Sequence, residues 1–340
     1  MARNDWMSAL PDGRNLHQIV MPGSHDCGMY ACAKGTKPAS VPSAITQFGT
    51  IREQLDLGTR FFDLRVYRQK GTDSDEVRVG HFMNKESIKG LGGLVSQAGE
   101  FGPRFYTVLG DMLDFLDANQ SEFIIVKLAF SDDVKEAATT MIRGHRIFGR
   151  LAEIGVRNIA GMLLKEVRGK AIFAFDKPMG GDLYKKKFLL ANKKTPGLDS
   201  HLIDLQKLPR GVVYLNGDAP TMNNLMGVLK KQNEGRVKNA NKSYAPHFEM
   251  YYLTITAGAG DLITGNMSVE ANTKREFHLL STVRAQPDAL RSVNEAWTNA
   301  AVEYTNRGIS QVSGSRIVNI FQYDFVNGEV NDVIIARNPP

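Results

Sequence analysis

Short apolar segments alternate with amphipathic stretches along the chain, and this alternation limits the folds that it can adopt. The segments are rich in β-branched and aromatic residues, as the strands of buried parallel sheets are. They cover residues 18–21, 60–67, 77–82, 123–130, 170–175, 211–216, 250–256 and 317–323. Strands with intervening helices predict an α/β fold, namely a single (β/α)8-type barrel over residues 1–340. A doubly wound open sheet is the alternative.

Apolar residues at helical spacing separate several of the predicted strands. Helices are expected over 107–117, over 134–154 as one or two helices, from Thr221 onward and over 287–305, whereas 36–47 is loop-like. A barrel of this type collects functional side chains at the C-terminal ends of its strands. Polar residues that directly follow apolar segments are therefore the candidates for a site.

The first candidates follow the first strand, in the motif MPGSHDCG at 21–28. Pro22 and Gly23 predict a turn directly after the strand. His25 and Asp26 would then project from the strand end. The alternative is a polar loop in which the histidine has a capping role.

The second candidates lie on the next strand. Gly58 is expected to end a short helical turn, and the alternation of side chains then places Phe61, Asp63 and Arg65 on one face of the strand. An aspartate and an arginine on a buried face are costly unless they are paired. They are therefore either a functional pair or a structural ion pair inside the barrel.

Two further candidates lie at the ends of later strands. His81 closes the segment 77–82, and Asp324 stands just past the last apolar segment. Taken alone, His81 is equally explained as a rim or core histidine, and Asp324 as a helix N-cap. Only their combination with the earlier candidates indicates a catalytic site.

Together these residue types have the chemistry of phosphodiester cleavage. Two histidines can act as base and acid on either side of a phosphorus. An arginine can hold the phosphate in a bidentate fork and offset charge that grows in the transition state. An aspartate behind a histidine fixes its tautomer and stabilises the imidazolium.

Five motifs carry a resemblance to a known family. They are MPGSHDCGMY (21–30), QLDLGTRFFDLRVY (54–67), EFIIVKLAF (122–130), RGKAIFAF (168–175) and IFQYDFVN (320–327). Their order and spacing resemble the catalytic X-type barrel of the phosphatidylinositol-specific phospholipases C, and above all its metal-independent bacterial form. The resemblance implies an irregular TIM barrel. It also implies attack of the inositol 2-hydroxyl on the phosphorus, which releases diacylglycerol and forms a 1,2-cyclic inositol phosphate.

The resemblance implies a role for each histidine. His25 resembles the general base, and Asp324 resembles the carboxylate that orients it. His81 resembles the general acid toward the leaving glycerol oxygen, with Asp63 as its partner.

The resemblance also implies how the substrate is held. Arg65 resembles the phosphate-binding arginine, fixed by Asp26. Calcium-dependent members of the family need a carboxylate where this chain has Arg65, and a guanidinium there would repel the ion. No metal and no other cofactor is therefore expected. The candidate substrate contacts are Lys127, Asp176, Lys177, Asn216 and Asp218.

The formal net charge of +6 favours an anionic partner. Lysine clusters at 185–187, 193–194 and 230–231 are either solvated surfaces or contacts with anionic lipid. The expected substrate is a phosphoinositide or related anionic lipid, met at a membrane surface by a monomer. Nucleic acid is not expected, because the sequence has no zinc-finger spacing, no RNP-like aromatic strand and no basic helix.

Two other classes of function stay open. A Mg²⁺- or Ca²⁺-dependent glycerophosphodiesterase-like barrel enzyme would need a cluster of acidic ligands, and the Ser24-His25-Asp26 start and Arg65 argue against it. A catalytically inactive barrel would bind inositol phosphate or anionic lipid without turnover.

The compartment is not determined by the sequence. Cys27 and Cys32 form neither a disulfide framework nor a zinc-binding spacing. The first ten residues lack the apolar core of a signal peptide, and no apolar run reaches the ~18 residues that span a bilayer. A soluble chain is expected, with export left open.

Overall fold

The computed structural model describes residues 2–33, 45–71, 76–82, 99–130, 133–154, 159–175, 188–190, 248, 250–253 and 319–338. Nine strands within this part of the chain form one mixed sheet. They are β1 Met21–Ser24, β2 Phe61–Gln69, β3 Glu76–Phe82, β4 Gly99–Arg104, β5 Phe123–Phe130, β6 Lys170–Phe175, β7 Phe188–Leu190, β8 Met250–Leu253 and β9 Ile320–Tyr323. The sheet order is β7-β6-β5-β2-β1-β9-β8, with β3 paired to β2 and β4 paired to β3.

Neighbouring strands along this order run parallel. The last strand, β9, pairs with the first, β1. β3 and β4 instead form an antiparallel extension at the end of β2. The α/β class is therefore confirmed, and the described strands make up a mixed sheet.

The expectation of a parallel strand at 77–82 is wrong. β3 folds back along the end of β2, so that Val79 pairs with Val66 and Glu76 with Gln69. Only an antiparallel return fits so short a connection, because a parallel crossover needs a dozen or more residues. His81 therefore reaches the site from a hairpin, and not from the C-terminal rim of a parallel strand.

The first strand begins later than predicted. Leu16–Gln18 is a 3-10 turn, and β1 includes Pro22 and Gly23, which the sequence pattern assigned to a turn. Pro22 is tolerated near the strand start, where its carbonyl still accepts an N–H from the residue before β2. Gly23 packs tightly against the neighbouring strands, because a Cβ at this position would lie 3.1 Å from the side chain of Ile320.

Other predicted elements differ in their outcome. β4 and β7 were not predicted, because β4 has the composition GEFGPR and β7 is only three residues long. The predicted strand at 211–216 and the predicted helices from Thr221 and over 287–305 lie outside the described residues. The same holds for residues 36–44 of the predicted loop.

The described helices are α1 Ile51–Asp56, α2 Phe105–Ala118, α3 Lys135–Gly144, α4 Leu164–Val167 and α5 Gly328–Ile335, with 3-10 turns at Arg3–Ala9, Leu16–Gln18, Arg146–Arg150 and Ile159–Gly161. The helix predicted over 107–117 is confirmed as α2, and 134–154 contains α3 and a 3-10 turn, as predicted. Gly58 follows α1 with a φ of 102°, the left-handed conformation expected of a residue that ends a helix. Among the described residues, no helix is long and apolar enough to cross a membrane.

Alternation along the strands separates two cores. Phe61 and Ile125 belong to the core on one face of the sheet, and Phe62 belongs to the core that packs beneath α2 on the other face. Asp63 and Lys127 pair in register and continue the face of Phe61 and Ile125. The first apolar face therefore gives way to charged residues toward the C-terminal ends of the strands.

A buried ion pair closes the opposite end of the sheet. Arg60 lies 2.7 Å from Glu122, and both side chains are fully buried. The guanidinium also donates to the carbonyls of Leu55 and Thr59, and the Met7 N–H donates to Glu122. This network ties the N-terminal segment to the starts of β2 and β5.

Candidate active site

His25 and Asp26 directly follow β1 and lie at the C-terminal edge of the sheet. The His25 N–H donates to the carbonyl of Tyr323 at the end of β9. Asp26 has a φ of 40°, in the left-handed region that residues other than glycine seldom adopt. The Cys27 N–H then donates to the carbonyl of Asp63. The turn after β1 is thus hydrogen-bonded to β9 on one side and to β2 on the other.

Asp26 lies at the centre of three nitrogen-bearing side chains. Its Oδ1 is 2.7 Å from Nε of Arg65, and its Oδ2 is 3.5 Å from Nε2 of His81 and 3.6 Å from Nε2 of His25. The Asp26 side chain is fully buried. Because a buried carboxylate is stable only when it is paired, Asp26 fixes the guanidinium and faces both imidazoles.

His25 is held from its other ring nitrogen by Asp324. Nδ1 of His25 lies 2.9 Å from Oδ1 of Asp324, and Nε2 lies 3.4 Å from a terminal nitrogen of Arg65. Burial opposes protonation, but the carboxylates of Asp26 and Asp324 outweigh it and raise the pKa of His25. The N-cap alternative for Asp324 is wrong, because the Asn327 side chain caps α5.

Asp63 and Arg65 share one face of β2, as the alternation predicted. Asp63 Oδ1 is 3.4 Å from Nζ of Lys127, and Oδ2 is 3.7 Å from Arg65 and accepts from Gln322 at 3.4 Å. Burial by itself would raise the pKa of this carboxyl. The cation of Lys127, followed by Arg65 and His25, instead lowers the pKa of Asp63 to about 2. Asp63 is therefore ionised at every pH near neutrality.

His81 lies on β3 beside the turn after β1. The carboxylate next to it is Asp26, and not Asp63 as expected from the sequence. The reason is the hairpin, which carries His81 back toward residue 26, while Asp63 is engaged with Lys127. Burial lowers the pKa of His81, and the opposing effect of Asp26 does not restore it.

The structure brings most of the candidate residues into one cluster. Lys127 extends from β5 and is 9% exposed. Asp176, Lys177, Asn216 and Asp218 lie outside the described residues. The clustered residues are His25, Asp26, Asp63, Arg65, His81, Lys127 and Asp324.

Relatives of the chain are found among curated proteins, although no family model matches it. The 1-phosphatidylinositol phosphodiesterase of Listeria monocytogenes is 32% identical over 126 residues, which are 36% of this chain and 32% of that protein. The enzyme of the same name from Staphylococcus aureus strain Newman is 41% identical over 61 residues, which are 18% and 19% of the two chains. The matches thus span a third or less of the length of these two relatives.

A solved structure matches over the whole chain. The phosphatidylinositol-specific phospholipase C from Listeria monocytogenes covers 100% of both chains with a TM-score of 0.63, at 18% identity. The chain resembles the phosphatidylinositol-specific phospholipases C. The resemblance inferred from the motifs is thereby confirmed, and at this identity the structural match shows the fold that the chain shares with the phospholipase C.

The sequence predicted a site without a metal. The positions of the possible metal ligands can be compared with this prediction. Ligand atoms of His25, Asp26 and Asp63 lie within 4.8 Å of one another, a grouping that can hold a cation. Arg65 and Lys127 already contact the two carboxylates, at 2.7 Å and 3.4 Å. A divalent ion would meet both positive charges at short range. The cluster therefore suits the cations of the protein better than a metal.

Sequence reasoning missed two amides that support this cluster. Gln322 donates to Asp63, and Gln47 donates to the His25 carbonyl at 2.9 Å. Both side chains are fully buried. Gln322 had a visible signal, because it lies at the end of the last predicted strand, two residues before the candidate Asp324. Gln47 had none, since its loop shows no periodicity.

Proposed function

We propose that the chain is a phosphodiesterase of the lyase type that cleaves phosphatidylinositol lipids. The inositol 2-hydroxyl attacks the adjacent phosphorus, the bond to the glycerol oxygen breaks, and diacylglycerol and a 1,2-cyclic inositol phosphate result. The supporting observation is the convergence of two imidazoles and one guanidinium on the buried carboxylate of Asp26. A phosphodiester anion against the guanidinium would have an imidazole on each side.

His25 is the proposed general base. Because Asp324 accepts from Nδ1, the lone pair lies on Nε2, which then takes the proton of the 2-hydroxyl. The nucleophile and the phosphorus belong to the same molecule, so that the attack gains the high effective molarity of an intramolecular reaction.

Arg65 is the proposed phosphate clamp. Asp26 binds its Nε and fixes the plane of the guanidinium, while a terminal nitrogen turns toward His25. This arrangement presents N–H donors to the phosphate oxygens, where negative charge grows in the transition state. Lys127, held by Asp63, is the proposed contact for an inositol hydroxyl.

His81 is the proposed general acid, which protonates the glycerol oxygen as it leaves. In the free chain the pKa is raised for His25 and lowered for His81, the opposite of what the two roles require. A bound phosphate anion favours protonation of His81 by offsetting Arg65 and adding negative charge beside the ring. After the step His25 is protonated and His81 neutral, and exchange with water restores both.

The finer description of the fold is also part of the proposal. Within the described residues the last strand, β9, pairs with the first, β1, as expected of a barrel, while β7 and β8 stand at the two ends of the main sheet order. We expect a single irregular (β/α)8 barrel that forms one catalytic domain over residues 1–340. The parallel pairings and the match to the Listeria structure support it.

The proposed partner is an anionic phosphoinositide at a membrane surface. The net charge of +6 and the names of the two bacterial relatives support this substrate class. The deciding experiment is a ³¹P NMR assay of the full chain on phosphatidylinositol micelles in EDTA, with the His25→Ala variant as control. We expect a cyclic phosphate signal from the wild type. The same signal should appear much more slowly, or not at all, with His25→Ala.

The same assay separates the other classes of function. Turnover that disappears in EDTA and returns with Mg²⁺ or Ca²⁺ would favour a metal-dependent barrel enzyme, for which the grouping of His25, Asp26 and Asp63 is the supporting observation. Binding of the micelles without any phosphorus product would favour an inactive lipid-binding barrel. Either result contradicts the proposed metal-independent lyase.

A further inference from the structure

A short loop segment joins the two chain segments that carry the His25–Asp324 pair. The segment is residues 46–48, here named the clasp. The Thr46 N–H donates to the carbonyl of Met29, and its hydroxyl donates to the carbonyl of Asp26. The carbonyl of Thr46 in turn accepts the N–H of Phe325. Thr46 is thus bonded to the turn after β1 and to the turn after β9.

Gln47 joins the same two turns through its side chain. Its amide nitrogen donates to the carbonyl of His25 at 2.9 Å and to that of Tyr323 at 3.3 Å, and its amide oxygen accepts the N–H of Val326 at 3.0 Å. The side chain is fully buried. The amide therefore satisfies backbone groups on both sides of the contact between His25 and Asp324.

The turn that the clasp holds is strained. Phe325 has a φ of 56°, which is a genuine outlier for a bulky side chain. Its ring stacks on Phe48 with centroids 4.4 Å apart. Such a conformation persists only where the surroundings impose it. Without the clasp, the turn that carries Asp324 would relax, because Phe325 directly follows Asp324 in the chain.

We propose that Gln47 is a positioning residue that holds Asp324 against His25. Its part in the reaction rests on the proposed function, whereas its part in the geometry does not. The other charged or titratable groups that interact with His25 come from the same turn, from β2 and from β3, and they are Asp26, Asp63, Arg65 and His81. The side-chain hydrogen bonds of Gln47 join it to the carbonyls of His25 and Tyr323 and to the N–H of Val326, and not to these charged side chains, so that its loss should act on the contact between His25 and Asp324.

Gln54 provides a matched control. It is also a fully buried glutamine, and its amide nitrogen donates to two carbonyls, those of Cys27 and Gly49, at 2.8 Å each. It lies in α1 and has no bond to the turn after β9. Methionine at 47 or 54 keeps the unbranched shape and removes the amide.

The first test is a double-mutant cycle on kcat, with Gln47→Met and Gln54→Met each made in the wild type and in Asp324→Asn. If Gln47 acts through Asp324, Gln47→Met should lower kcat at least about tenfold in the wild type and much less in Asp324→Asn, since residues of one network couple. Gln54→Met should change kcat by the same factor in both backgrounds. Equal factors for Gln47→Met in both backgrounds would overturn the proposal.

The second test needs no turnover. An NMR titration of the His25 ring should show a lower pKa in Gln47→Met than in the wild type, because the Asp324 carboxylate moves away, and no such change in Gln54→Met. If Gln47→Met does not fold, Gln47→Asn serves instead, since it adds no charge beside His25 and draws the amide back by one methylene from the carbonyls of His25 and Tyr323. An unchanged titration of His25 overturns the proposal. A wild type without turnover contradicts only the proposed function.

Discussion

The buried carboxylate of Asp63 makes the stability of the folded chain depend on pH. Its side chain is 1% exposed, and the neighbouring cations lower its pKa from an ordinary value of 3.8 to about 2. A tenfold change in proton affinity corresponds to about 1.4 kcal/mol, so that ionisation of Asp63 stabilises the folded chain by about 2 kcal/mol at neutral pH. Because the folded pKa is depressed, this stabilisation is present above pH 3.8 and is lost as the pH falls through about 2.

The Asp63→Asn variant isolates this contribution. The free energy of unfolding of wild type and variant would be measured by urea denaturation, followed by circular dichroism, at several values between pH 7 and pH 3. We expect the difference in the free energy of unfolding between the two proteins to shrink by about 1 kcal/mol from pH 7 to pH 3. About half of the stabilisation from ionised Asp63 is lost by pH 3.

The control removes a carboxylate at the surface. Asp332 pairs with Arg3 at 2.7 Å, and its side chain is 53% exposed. Asp332→Asn reports the general effect of deleting one negative charge, and an exposed pair of this kind contributes little. If the difference between wild type and Asp63→Asn is the same at pH 7 and pH 3, the cations around Asp63 do not hold it as described.

Four further predictions concern turnover and stability. His25→Ala or His81→Ala should lower kcat by about 10²–10⁴-fold through loss of acid–base catalysis alone, and near wild-type turnover of both in the ³¹P assay would contradict the assignment. Arg65→Lys should be severely impaired, because an ammonium cannot bind phosphate as a fork; full activity would remove Arg65 from the site. The pH profile of kcat/KM should be bell-shaped, because turnover needs a neutral His25 and a protonated His81 at once. Since the free chain has a raised pKa at His25 and a lowered pKa at His81, the rise should level off where His81 titrates and the fall should begin where His25 titrates. A flat profile from pH 5 to 9 would contradict this. Arg60→Met should lower the free energy of unfolding by about 3–5 kcal/mol, since it leaves Glu122 buried and unpaired, and a loss below about 1 kcal/mol in urea would refute this.

Local pattern was sufficient for several elements and for the position of β2 side chains. The apolar run at 123–130 is β5, the helical spacing over 107–117 is α2, and Gly58 ends the turn before β2. Asp63 and Arg65 share a face because side chains alternate along any strand. These features depend on residues close together in the chain, which is why the sequence predicts them. The catalytic roles of the clustered residues stay predictions.

Pairings between distant segments were decided only by the tertiary structure. The direction of β3, the choice of Asp26 over Asp63 as the neighbour of His81, and the amide of Gln47 between two turns all depend on how separate segments meet. Periodicity along the chain does not predict such contacts between distant segments, because they result from packing of the whole sheet. Residue types and strand faces therefore follow from the amino-acid sequence, whereas the partner of each charge follows from the fold.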